Sequence, residues 1–221
     1  MGRRTVVRHP NHQAMRYNDT QWEATVKQFE IRADYDATTI VVYQAYSPAI
    51  ALPAVASQHF VTPFSFTRMT WIKPSFLWMM ERSNWGHKAG QEHVLAIRIT
   101  RAGWEEALGN AVLSTPERHV YHDSADWKAQ KRASSVTVQW DPERTLRGAA
   151  LPYRSIQVGI SHHLIRRYAE EWITQIIDLT PLVRKWHDLI RDGYADNVPD
   201  LLPKERLYPT PTAIAKRLGM D

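Results

Sequence analysis

The chain has 221 residues, 28 Lys and Arg against 23 Asp and Glu, and 43% hydrophobic residues, the profile of a globular protein with one sizeable core. It has no cysteine, which excludes disulfides, thiolate nucleophiles and Cys-ligated zinc and fits a reducing compartment. No apolar run approaches the roughly 18 residues of a membrane span, and the first ten residues lack the apolar core of a secretory signal, so a cytoplasmic protein is expected.

The net charge of +5 is unevenly placed. Arg3, Arg4, Arg8 and Arg16 supply most of it, with no acid among the first 18 residues. Residues 1–28 therefore read as a basic, polar, flexible arm, either a solvated tail or an aid to nucleic-acid binding. Residues 29–221 read as one domain.

Ile40 to Tyr46 is β-branched and aromatic and predicts a strand. Ser47 and Pro48 then open a short helix to Ser57. Phe60 to Phe66 reads as a loop, Arg68 to Ile72 as a second strand, and Pro74 to Ser83 as a second helix. His93 to Thr100 is a strand, and Thr100 caps a helix from Arg101 to Leu108. Residues 109–125 read as irregular and Asp126 to Arg132 as helical. Ser135 to Trp140 alternates like a strand, and Asp141-Pro-Glu-Arg144 signals a turn. Tyr153 to Ile160 is a further strand, followed by a helix capped by Ser161. Gln175 to Leu179 is a short strand, and Thr180-Pro181 opens an amphipathic helix. After Gly193 a proline-rich segment wraps the surface. Without strict β-α-β alternation, these elements predict an α+β domain, with a mixed or antiparallel sheet and flanking helices.

Glycine-rich phosphate loops, the G-x-S-x-G elbow and H-E-x-x-H are all absent. His119, His122 and Asp123 have metal-ligand chemistry, but their stretch is polar and lacks a helical register, so no metal site is assigned. The richest segment is Arg68 to Met80, with Trp71, Trp78 and three methionines around Arg68, Lys73 and Ser75. It reads either as a core strand and helix with solvated cations or as a site where Lys73 meets a helix N-terminus suited to anions. Polar residues also mark other strands: Tyr43, Gln44 and Tyr46 on the first, Arg154 and Gln157 on the Tyr153–Ile160 strand. If these strands are neighbours, the polar groups either converge on a cleft or satisfy one another.

Arg32-Ala-Asp-Tyr35, Val42-Tyr-Gln-Ala-Tyr-Ser-Pro48, Met69 to Met80, Gln139-Trp-Asp-Pro-Glu-Arg144 and Pro152-Tyr-Arg-Ser-Ile-Gln157 resemble the motifs of the DUF4291 family, over about residues 30 to 209. A remoter resemblance is to ADP-ribosyltransferases. Val42 to Ser47, with the short helix and Phe60-Val61 after it, is similar to their first motif, with Gln44 where that family has a His or Arg on the NAD ribose. Trp71 to Ser75 is similar to the second motif. Tyr153 to Ile160 is similar to the third, with Gln157 where a Glu is usual.

This resemblance implies an ADP-ribosyltransferase-like fold and an enzyme that takes NAD as substrate. Gln44, Lys73 and Gln157 would be catalytic. Tyr43, Tyr46, Arg68, Trp71, Ser75 and Arg154 would bind the dinucleotide, with the three cations on its pyrophosphate. RNA or DNA is the first candidate acceptor. The alternative expectation is a non-catalytic nucleic-acid-binding module, in which aromatics interleaved with Arg and Lys bind bases and phosphates.

Overall fold

A computed structural model describes residues 26–220. Most of the basic arm lies outside the described residues. Its last described part is tied to the body, because the Arg154 backbone N–H donates to the Gln28 carbonyl at 2.9 Å.

Strand β1 (Arg32–Ala33) leads into β2 (Thr39–Tyr46). The near-continuous apolar run of β2 fits a strand covered on both faces. Ile40 and Val42 face one core, while Val41 and Tyr43 face another. Helix α1 (Pro48–Ser57) follows, with proline in its first turn, where the missing N–H costs nothing. Then come β3 (Thr70–Ile72) and α2 (Phe76–Ser83), and then β4 (His93–Thr100). Helix α3 (Arg101–Gly109) is capped as expected, with the Thr100 hydroxyl accepting from the Gly103 N–H at 3.1 Å.

The second half holds β5 (Ala111–Leu113), α4 (Ser124–Ala133), β6 (Val136–Arg144) and β7 (Ala150–Ile160). Helix α5 (Leu164–Arg167) runs into a π turn over Tyr168–Trp172. After it come β8 (Ile173–Asp178), α6 (Thr180–Arg191), β9 (Arg206–Leu207) and α7 (Thr212–Arg217).

The strands form an antiparallel sheet in the order β2-β4-β8, a mixed sheet in the order β3-β7-β6-β5, and a small β1-β9 pair. The two larger sheets meet where the Tyr43 N–H donates to the Lys73 carbonyl at 2.6 Å. The larger core lies among Ile72, Ile97, Trp104, Val138, Val158 and Tyr168. The smaller packs Tyr43, Phe76, Met80 and Trp85 against Val183 and Trp186 of α6. Helices and a mixed sheet thus make one α+β domain. Among the described residues no helix is long and apolar enough to cross a membrane.

Several local expectations are corrected. Residues 141–144 are not a turn: β6 runs through them, Pro142 pairs with Arg154 at a register shift, and the turn comes at 145–149. Pro142 is tolerated because β5 covers only Val136–Val138, which leaves the outer edge of β6 unpaired there. The segment read as irregular contains β5, which pairs parallel with β6. Ser161 is not a cap; its hydroxyl donates to the Ser135 carbonyl, and the helix begins at Leu164. Asp123 caps α4, so this helix starts earlier than its periodicity suggested. Helix α2 begins at Phe76, with Ser75 rather than Pro74 setting its start.

Candidate functional site

Successive strand residues point to opposite faces. On the β3-β7-β6 sheet one face carries Ile72, Ile156, Val158, Val136 and Val138 into the core. The other carries Trp71 from β3 and Lys73 just after it, Ser155 and Gln157 from β7, and Thr137, Gln139, Asp141 and Glu143 from β6. Antiparallel register sets Gln157 beside Gln139 and Ser155 beside Asp141. It also sets Trp71 beside Gly159, where a side chain would collide with the Met69 sulfur and the Trp71 ring, so glycine lets that ring lie against the sheet.

Asp141 is the centre of this face. Its carboxylate accepts from the Gln157 amide at 2.6 Å and from the Gln139 amide at 2.8 Å, which fixes both oxygens. Lys73 lies near enough for the Asp141 charge to act on it, yet its amine makes no hydrogen bond or ion pair with a described residue. Its ammonium sits 4.3 Å from the centre of the Trp78 ring, and the residue is only 5% exposed. Burial lowers its pKa to about 7, against the pull of Asp141.

The N-terminus of α2 closes one end of the face. The Ser75 hydroxyl accepts from the Trp78 N–H at 3.2 Å and donates to the buried Glu143 at 2.8 Å. Glu205 arrives from the C-terminal strap and accepts from the Phe76 N–H at 2.6 Å. Burial holds both carboxyls above the usual range. The Glu143 charge also raises the cost of ionising Glu205, and Arg32 opposes the shift of both. The face therefore offers a clamped carboxylate, an amine near its neutral point, two indole rings and a pair of protonatable carboxyls.

Of the residues marked from sequence, Trp71, Lys73, Ser75 and Gln157 converge here. Gln44 lies on the core side of β2. Its amide donates to the Tyr46 hydroxyl, Thr70 Oγ1 and the Trp71 carbonyl, and its oxygen accepts from the Tyr168 hydroxyl at 2.7 Å. Tyr46 belongs to the same knot, and burial pushes its pKa to about 12. Tyr43 points to the opposite face of β2. Arg68 is exposed ahead of β3. Arg154 has the parity of Ile156, away from Gln157. Sequence reasoning passed over Asp141, Gln139, Glu143 and Glu205. The first three lay inside a recognised motif, with Asp141 and Glu143 read as a turn and Gln139 as the end of a strand, and Glu205 carries no local signal.

A family match covers most of this architecture: the profile of a domain of unknown function, DUF4291, matches residues 30–208. The chain belongs to the DUF4291 family. The matched span includes both larger sheets and every residue of the polar face, with the α7 segment beyond it. No curated protein and no solved structure matches the chain.

Proposed function

We propose that the polar face of the β3-β7-β6 sheet binds NAD and transfers its ADP-ribosyl group, releasing nicotinamide. The observation that carries this reading is the Asp141 carboxylate, held by two glutamine amides beside an amine that has no hydrogen-bonding partner among the described residues. In such chemistry the C1′–nitrogen bond to nicotinamide breaks, an acceptor oxygen or nitrogen bonds to C1′, and the acceptor's proton passes to a base. The passing state carries positive charge on the ribose, and a preorganised carboxylate stabilises it most where little reorganisation is needed.

Asp141 takes that role, supplying the carboxylate that Gln157 cannot. Gln157 and Gln139 hold it and face the ribose hydroxyls. Trp71 and Trp78 give flat surfaces for nicotinamide or adenine. Lys73 faces the pyrophosphate, whose charge restores the proton that burial removes. Gln44 and Tyr46 hold β2 against β3 behind the site. Glu143 or Glu205 stores the acceptor's proton. Nucleic acid remains the first candidate acceptor, on the charge of residues 1–16.

The test is NAD binding by thermal shift and nicotinamide release by the purified protein, with and without RNA or DNA, beside Asp141→Asn and Gln157→Ala. Stabilisation by NAD is expected in the parent protein. Release should fall by on the order of 100-fold in Asp141→Asn with binding largely kept, the signature of an interaction made in the transition state. Neither stabilisation nor release, with RNA or DNA bound, would leave a non-catalytic nucleic-acid module instead.

A further inference from the structure

Two concavities lie away from the polar face. One, near the C-terminal end of α2, holds Glu81, Arg147 and His187. The other, of about 290 Å³, opens between the β2-β4-β8 sheet, α6 and the strap at Leu201–Pro203. Its walls include Val41, Ala96, Leu179 and Trp186. At its lip stand Ile177, Leu182 and Leu201, exposed by 42%, 46% and 50%. They are three of the seven large apolar side chains left exposed among the described residues. Apolar groups gathered at one concavity mark a binding site rather than scattered surface.

Two polar groups in this cavity have no protein partner among the described residues. Tyr43 is 1% exposed and lines the cavity, but its hydroxyl makes no hydrogen bond with a described residue. A hydroxyl that opens on the cavity without a protein partner is free to bond a ligand atom. Asp34 also lines the cavity, and its carboxylate likewise makes no hydrogen bond or ion pair with a described residue. The one cation of the lining, Arg98, is already engaged by Asp36 at 3.1 Å and by the Thr39 hydroxyl at 3.0 Å. The charge left open is negative. At the Tyr43 hydroxyl, after burial, the charges of Glu205 and Asp34 act more strongly than the opposing Arg98.

We propose that this cavity is a second binding site, for a small organic amine with a flat apolar body: the ring packs on Trp186 and the leucines, and the ammonium pairs with Asp34. A polar ring atom meets the Tyr43 hydroxyl. The volume sits at the lower end for ligand clefts, which suits one fused ring system and a short side chain. The site lies across β2 from Gln44, so it does not depend on the NAD reading.

The test is binding of tryptamine to the full chain by calorimetry, beside its neutral and anionic counterparts tryptophol and indole-3-acetate. Tryptamine should bind at least tenfold more tightly than tryptophol, and indole-3-acetate more weakly than either. Asp34→Asn should reduce tryptamine to the tryptophol level, and Tyr43→Phe should weaken all three a few-fold. Neither variant removes a protein–protein hydrogen bond of its side chain, and thermal melts confirm that each is folded. Asp141→Asn should leave tryptamine binding unchanged. No binding at millimolar concentrations, equal binding of the three compounds, or full tryptamine affinity in Asp34→Asn overturns the proposal.

Discussion

Lys73 and Gln44 are both buried polar residues flanking the same hydrogen bond between β2 and β3, and they behave oppositely. Lys73 holds an amine with no described counter-ion. Below about pH 7 the folded and unfolded chains both bind its proton, and the full cost of burying the charge is felt. Between about 7 and the ordinary value of 10.5 the unfolded chain binds more protons, so stability rises with pH. A shift of that size is worth on the order of 5 kcal/mol at most. Lys73→Met should therefore raise stability to urea at pH 7 by at least about 1 kcal/mol and flatten its rise towards pH 9.5, while NAD stabilisation disappears. A Lys73→Met protein less stable than its parent at pH 7 would show that the amine is satisfied. Gln44 is fully engaged, and Gln44→Ala leaves the buried Tyr168 hydroxyl without its acceptor and opens a cavity. The expected loss is about 2–4 kcal/mol in urea unfolding. A loss under about 0.5 kcal/mol would make Gln44 a candidate for ligand binding again.

At the scale of elements, α2 is held at its start by two acids of different origin. Glu143 on β6 meets Ser75, and Glu205 on the strap meets the Phe76 N–H. Both carboxyls have raised pKa values, so between the ordinary value of 4.5 and their folded values the native state binds more protons than the unfolded chain. Their contribution is full below pH 4.5 and is lost as pH rises, opposite in sign to that of Lys73. Glu205→Gln keeps an oxygen for the Phe76 N–H and removes the ionisation. Its stability relative to the parent should be higher at pH 8 than at pH 4.5; an equal difference at both would mean that the Glu205 carboxyl titrates in the folded protein as it does in the unfolded chain. Such element ends were partly legible: Thr100 as a cap and the strand His93–Thr100 follow from local pattern. The Asp141 clamp was not, because it depends on the register of β6 against β7, which no local window contains. Parity, however, was readable. Tyr43 and Gln44 are adjacent and must face apart, as must Arg154 and Gln157, so no single face of these strands could gather the whole set inferred from sequence.

For the whole molecule, the remaining division is between the described body and the basic segment before it. The structure moves the sensible cut. The Gln28 carbonyl accepts from Arg154, and the Phe29 ring meets Trp140 edge-on at 5.5 Å, so removing residues 1–28 would strip a piece of the sheet edge. Removing residues 1–25 takes Arg3, Arg4, Arg8 and Arg16 and leaves those interactions in place. If affinity for nucleic acid resides in these arginines, the truncated protein should unfold at nearly the parent temperature. It should bind RNA or DNA much more weakly, with a slope of log affinity against log salt reduced by about 3 to 4, since each arginine that neutralised a phosphate accounted for close to one unit of slope. An unchanged slope would place nucleic-acid binding on the body, where the Trp71–Trp78–Lys73 face offers two rings and a cation. Arm and site would then share one acceptor, and weakened nucleic-acid binding in Trp78→Ala alongside diminished nicotinamide release would be the consequence to measure.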